Sequence, residues 1–195
     1  MKTNLKRIYG SWDLGYSLDK HTLSSVCVGE NEWGYPVFDT ERSEAGEALY
    51  HLKYKGDFSQ IDSLASSISS QIVPSLGEIS FITSMPPSKV RAKQPVEELA
   101  KAVSQKCGLP YAGGFIFKKY PTPQMKDMNT TENKVQTLMD ALSINLQSIH
   151  LPERGYNVLI IDDLFDSGTS LEAATQTLKT CDKINQVFVA TATWK

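Results

Sequence analysis

Cysteine is scarce: the 195 residues hold three, Cys27, Cys107 and Cys181, far apart and with no Cys-x-x-Cys pair. A zinc ribbon or a redox dithiol therefore has no ligands to build from. An odd, sparse count fits a reducing compartment, where each thiol is a small buried hydrophobe. Histidine is equally sparse; His21, His51 and His150 are scattered without metal-ligand spacing and read as structural or surface residues. No apolar run approaches the roughly 20 residues a membrane helix needs. The basic start, Met1 to Arg7, is followed by no apolar stretch of signal-peptide length. The expectation is a soluble, cytoplasmic protein without membrane association. Positive charge is not in excess either, with 20 Lys+Arg against 22 Asp+Glu and a net charge of −2. That balance argues against a nucleic-acid-binding surface.

What the chain does have is 41% apolar residues, enough for a sizeable core, and a length suited to one α/β domain or a core with a small appendage. The first 50-odd residues are punctuated by Gly10, Gly15, Gly29, Gly34 and Gly46 between short runs rich in β-formers. Glu30 to Gly34 reads as a hairpin loop and Leu18 to His21 as a second turn. A β-rich cap over residues 1–57 is expected, holding Trp12, Tyr16, Trp33 and Tyr35. These aromatics form either a hood that stacks on a base or a mini-core for the small sheet.

From about Ser59 the period changes. Ile61, Leu64, Ala65, Ile68 and Ile72 mark one face of a helix that Pro74 ends. Ile79–Ile82 reads as a strand. Val96, Leu99, Ala100, Val103 and Cys107 lie on a second helix that stops at Gly108. Phe115–Phe117 suggests a strand, and Val135, Leu138, Met139 and Leu142 a third helix. Val158–Ile161 is a continuous apolar run, the pattern of a parallel strand buried on both faces. A helix from Ser170 to Thr180 and a strand Val187–Ala192 follow. Alternating strands and helices predict an α/β fold with a parallel sheet flanked by helices over residues 58–195.

The stretch Val158-Leu-Ile-Ile-Asp-Asp-Leu-Phe-Asp-Ser-Gly-Thr-Ser170 carries the chemistry. It places two adjacent carboxylates at the end of a buried strand, then a small-residue loop that opens a helix. Ligands of open parallel sheets sit beyond the carboxyl ends of the strands. A small-residue loop at a helix start offers backbone N–H groups and a positive dipole to an anion. Asp162 and Asp163 can accept hydrogen bonds from a vicinal diol or help hold a divalent cation. One segment would then grip a sugar phosphate at both its hydroxyls and its phosphate. The alternative is a plain strand-to-helix turn with Asp166 or Ser167 as N-cap.

This arrangement resembles the fingerprint of the type I phosphoribosyltransferases, which bind phosphoribosyl pyrophosphate (PRPP) there. The resemblance implies that Asp162 and Asp163 bind the ribose hydroxyls, and that Asp166, Ser167, Gly168, Thr169 and Ser170 cradle the 5′-phosphate. It implies a Mg²⁺ cofactor, with Asp162 and Asp163 as its indirect ligands. Leu52-Lys-Tyr-Lys-Gly-Asp57 is similar to a signature of the ComF-like branch. Ser84 to Arg91 sits where the family places its pyrophosphate loop, which makes Ser84, Met85, Lys89 and Arg91 candidates for pyrophosphate binding. Gln124, Met128, Asn133 and Val135 echo that branch's flexible loop. The four-cysteine zinc ribbon usual in ComF-like proteins is missing, so the first 57 residues inherit nothing from it.

Lys89, Arg91 and Lys93 suit a polyphosphate, or form a solvated basic helix start. Asp166 stands where the 6-oxopurine branch of the family uses an aspartate as proton acceptor, so it is the candidate catalytic base. Its other reading is a helix cap or Asx turn. Lys118 to Thr131 reads as a lid or as an ordinary surface loop. Trp194 either stacks on a base or seals the sheet. The expected function is Mg²⁺-dependent transfer of ribose 5-phosphate from PRPP to a nitrogen nucleophile, purine-like on the Asp166 reading. The alternatives are a non-catalytic PRPP- or nucleotide-sensing regulator or partner subunit, for example in a defence or toxin system, and a PRPP or nucleotide hydrolase. A homodimer or a protein partner would engage through the cap.

Overall fold

The computed structural model describes residues 1–89, 91–121, 130–153 and 155–195. In chain order the elements are β1 (Lys6–Arg7), β2 (Leu14–Lys20), β3 (Thr22–Glu30), β4 (Pro36–Arg42), α1 (Glu44–Tyr50), α2 (Gln60–Ser67), β5 (Phe81–Ser84), α3 (Pro95–Cys107), β6 (Ile116–Lys118), α4 (Thr131–Ala141), β7 (Leu142–Ile144), β8 (Tyr156–Phe165), α5 (Thr169–Lys179) and β9 (Ile184–Trp194). A central sheet runs in the order β1-β2-β9-β8-β5. Its strands β2, β9, β8 and β5 are parallel, and β1 alone is antiparallel to its neighbour. Two small ribbons, β3–β4 and β6–β7, stand beside it.

The apolar run of β8 explains its central place. Leu159 and Ile161 face one layer, packed with Leu49, Leu52, Leu64, Ile68 and Leu99 from α1 through α3. Val158 and Ile160 face the other, with Phe81, Phe115, Leu138, Leu171 and Ala174. Period-two alternation in a fully buried strand thus builds two cores from adjacent residues. Helix ends follow local chemistry. Ser43 caps α1 by accepting from the Gly46 N–H at 3.0 Å. Pro95 opens α3, and Gly108 closes it in the left-handed region at φ +65°. After α1 the chain widens into a π-helical turn, His51–Lys55, which Gly56 ends at φ +67°.

The expected helices over 61–72 and 96–107 and the strands around 158–161 and 187–192 are present, with ends shifted by a few residues. The expected strand Ile79–Ile82 starts later, at Phe81, and β8 runs four residues past Ile161, carrying both aspartates within the strand. The first 57 residues differ most from expectation. Leu18–His21 is no turn: β2 continues to Lys20 and pairs in parallel with β9, Tyr16 opposite Ala190 and Lys20 opposite Trp194. Residues 6–20 therefore belong to the central sheet, and only the β3–β4 hairpin stands clear of it. Its expected loop at residues 30–34 is where the hairpin turns. The aromatic mini-core does not form. Trp12 is 6% exposed within the second core, whereas Trp33 is 73% exposed at the hairpin tip. The partner strand of β2 lies some 170 residues away, and local patterning carries no trace of so distant a pairing.

Candidate active site

A cleft of about 430 Å³ opens beyond the carboxyl ends of β5 and β8. These strands are paired in register, Ser84 opposite Ile161, so the loop leaving β5 lies beside the two aspartates. The Met85 N–H donates to the Ile161 carbonyl at 3.0 Å, which pins that loop at its root. Met85, Lys89, Arg91, Asp162, Asp163 and Ser170 all line the cleft. Six of the residues expected from the sequence thus converge from two separate segments.

Asp163 forms an ion pair with Lys53, Nζ to Oδ2 at 2.5 Å, with the side chains 25% and 15% exposed. Asp162 accepts from the Asp163 N–H at 2.9 Å. Burial, and then the neighbouring charge of Asp163, raise the Asp162 carboxyl to about 8, against the opposing pull of Lys53. On the opposite wall, Gln94 holds the basic loop in shape: its Nε2 donates to the Lys89 and Arg91 carbonyls at 3.2 and 3.3 Å. Lys118 at the end of β6 also lines the cleft, and burial lowers its pKa.

The loop before α5 has a defined shape. Gly168 sits at φ +75°, in the region that favours glycine. A Cβ there would meet the Phe165 ring at 2.8 Å, with Trp12 just behind at 3.7 Å. The Ser167 and Thr169 hydroxyls are 2.8 Å apart, the Thr169 N–H donates to the Ser167 hydroxyl at 3.5 Å, and Gly168 at the N-cap has no side chain to offer the N–H groups beyond it. Those later first-turn N–H groups lie at the positive end of the α5 dipole. Trp12 underpins this turn: its ring meets Phe165 edge-on at 6.1 Å, and its Nε1 donates to the Ile8 carbonyl. The adjacent Ser11 N–H donates to Glu172 at 2.9 Å, clamping the N-terminal segment onto α5.

Other selected residues do not line the cleft, Ser167, Gly168 and Thr169 of the turn among them. Ser84 turns its hydroxyl to the Tyr111 phenol at 3.1 Å, towards a neighbouring, more apolar hollow of about 310 Å³. Lys93 leaves the basic cluster to lie over Phe58 and near Glu98. Asp166 is 61% exposed and faces Lys195 at 3.3 Å. Trp194 ends β9 with the Lys6 ammonium 3.7 Å from its ring centroid. Gln124 and Met128, in the expected lid, lie outside the described residues. Lys53, Tyr54 and Gln94 line the cleft without a role assigned from the sequence, and Trp12, expected in a hood or mini-core, instead backs the turn before α5. The only prior signal was the segment Leu52–Asp57, which carries Lys53.

The two carboxylates are hard oxygen donors of the kind Mg²⁺ takes. Among the described residues, however, no group of three or more His, Cys, Asp and Glu is placed to hold a metal unaided. The donor set fits an ion that substrate oxygens and water would also coordinate. No described helix is long and apolar enough to cross a membrane.

No protein-family model matches the sequence, and no curated protein matches it. In three dimensions the chain is similar to adenine phosphoribosyltransferase from Trypanosoma brucei, solved with AMP, pyrophosphate and ribose 5-phosphate. The TM-score is 0.50 at 11% identity, covering 97% of this chain and 74% of that one. It is also similar to the glutamine PRPP amidotransferase of B. subtilis, solved with ADP and GMP, with a TM-score of 0.51 at 17% identity. That match covers 83% of this chain and 34% of the other, so the chain spans about a third of the amidotransferase. The architecture is the type I phosphoribosyltransferase fold, a mostly parallel sheet flanked by helices.

Proposed function

We propose that this chain uses its phosphoribosyltransferase fold to bind PRPP and transfer ribose 5-phosphate to a nitrogen nucleophile. The observation that carries this reading is the cleft itself: a carboxylate pair and the cations Lys89 and Arg91 line one cavity where β5 and β8 end, with Ser170 of the α5 start at its wall. Asp162 and Asp163 bind the ribose 2′- and 3′-hydroxyls. The turn Asp166–Ser170 receives the 5′-phosphate on backbone N–H groups. Lys89 and Arg91, with the backbone at Ser84 and Met85, receive the pyrophosphate, where charge builds as the bond to C1′ breaks. Mg²⁺ bound by the substrate, with Asp162 and Asp163 as indirect ligands, would further neutralise the leaving group. Asp166 takes the nucleophile's proton, which favours a purine-like base; to do so it exchanges its contact with Lys195 for one with the acceptor. The Leu52–Asp57 segment supports placement near the ComF-like branch.

Incubation with PRPP, Mg²⁺ and a panel of nucleobases, read by mass spectrometry, tests the proposal. A base-dependent nucleotide product supports it, and PRPP left intact with every base refutes it. Within that assay Asp166→Asn is expected to lower turnover by about two orders of magnitude while sparing PRPP affinity. Equal activity would remove Asp166 from proton transfer.

The β3–β4 hairpin favours a second reading, a PRPP-sensing regulator or partner subunit. It exposes Val26, Val28, Trp33, Tyr35, Val37 and Phe38. A homodimer or a protein partner would dock there. PRPP binding without base-dependent pyrophosphate release would mark this alternative.

A further inference from the structure

Lys53 lies in the Leu52–Asp57 segment, which carries no assigned chemistry, yet it lines the cleft. It enters from the π-helical turn that follows α1, the kind of irregularity that recurs at functional sites. Leu52 beside it is 1% exposed in the first core, so the turn that delivers the ammonium is firmly seated. Lys53 and Tyr54 line the same cavity as Lys89, Arg91, Asp162 and Asp163. In the free protein the ammonium is held by Asp163 at 2.5 Å.

We propose that Lys53 is a substrate-contacting residue that couples the sugar and pyrophosphate subsites, a reading that rests on the PRPP site proposed above. The reason is electrostatic. A ribose diol that takes the oxygens of Asp163 displaces the ammonium and leaves a mostly buried cation without its partner. Breaking such a pair with a neutral group is costly. An anion bound beside the diol removes that cost, because the flexible four-carbon stem of lysine can swing the charge onto it. PRPP carries both groups on one furanose ring, a diol and a pyrophosphate at C1′. Ribose 5-phosphate carries the diol with only a hydroxyl at C1. Lys53 therefore makes the site select the activated sugar over its own hydrolysis product, and it becomes a third cation on the leaving group.

Calorimetric titration of the full chain with PRPP and with ribose 5-phosphate, in Mg²⁺, tests this with Lys53→Met and Lys53→Arg. In K53M, PRPP affinity is expected to fall by about tenfold or more. Ribose 5-phosphate should bind as well as before or better, because Asp163 is freed. K53R should keep most of the preference. Unchanged or tighter PRPP binding in K53M overturns the proposal, as does an equal loss for both ligands, which would mark a purely structural role. Should thermal melting show K53M unfolded, Lys53→Gln replaces it under the same criteria. Wild-type protein that fails to bind PRPP overturns the transferase reading and this one together. Wild-type binding with an indifferent K53M overturns this one alone.

Discussion

Asp162 and Asp163 are neighbours in sequence and opposites in electrostatic company. Asp163 has a cation at 2.5 Å; Asp162 has a backbone N–H and a second negative charge beside it. Burial, then Asp163, hold the Asp162 carboxyl at about 8, so near neutrality the folded free protein keeps a proton there that the unfolded chain has lost. A raised acid stabilises the fold below its ordinary carboxylate range, and that contribution is lost as pH rises towards the folded value. Asp162→Asn should remove this dependence. The variant is expected to melt about 2–6 °C above wild type at pH 8, with a smaller gap at pH 5, while losing PRPP affinity. Differential scanning calorimetry at the two pH values checks the sign; a variant less stable at pH 8 would contradict it. His21 carries the opposite sign. Burial, then Arg42, lower its pKa, so its penalty grows as pH falls below the ordinary imidazole value. Both aspartates stand out in the sequence by their place after an apolar run. Their different partners were not, because Lys53 lies more than a hundred residues upstream.

At the scale of the element, the loop between β5 and α3 owes its shape to one side chain. Gln94 donates to two carbonyls of the segment that presents Lys89 and Arg91, and Pro95 then starts the helix. Gln94→Ala removes both bonds without touching the core. It is expected to raise the KM for PRPP by about 3- to 10-fold, with the melting temperature changed by no more than about 2 °C. Steady-state kinetics and thermal melting separate the two effects; a matching fall in stability would make Gln94 structural. The β8–turn–α5 unit is the element most fully legible in the sequence, since strand, carboxylates, glycine and helix are contiguous. What lies beneath that turn was hidden. Trp12 reads as part of a separate cap, but it packs against Phe165 and backs Gly168, so a distant segment sets the stiffness of the turn before α5.

Across the whole molecule, the N-terminal residues divide by what they bury. Residues 6–20 complete the sheet, α1 and its π-turn seal the first core, and the hairpin between them buries little. A two-stranded ribbon exposed on both faces adds little independent stability. Thr22 pairs with Arg42 at its base, so the intervening residues can be excised and replaced by a short glycine turn. That deletion is expected to leave the melting temperature within about 3 °C of wild type and PRPP binding intact. It should also abolish any self-association of the full chain in light scattering. A collapse in stability would show that the hairpin belongs to the fold rather than to a partner.

Most of the order of strands and helices after residue 58, the buried central strand and the small-residue turn before α5 follow from the sequence alone; β7, which starts at Leu142, does not. They depend on patterns within a dozen residues, where periodicity, glycine and proline act directly on the backbone. Only tertiary structure decided that β2 joins the sheet beside β9, that Lys93 and Ser84 face away from the cleft, and that Lys53 reaches Asp163. Each of these is a contact between segments that local sequence leaves independent. They become neighbours only when the two cores close on either face of β8 and the cost of ordering the intervening chain has been met.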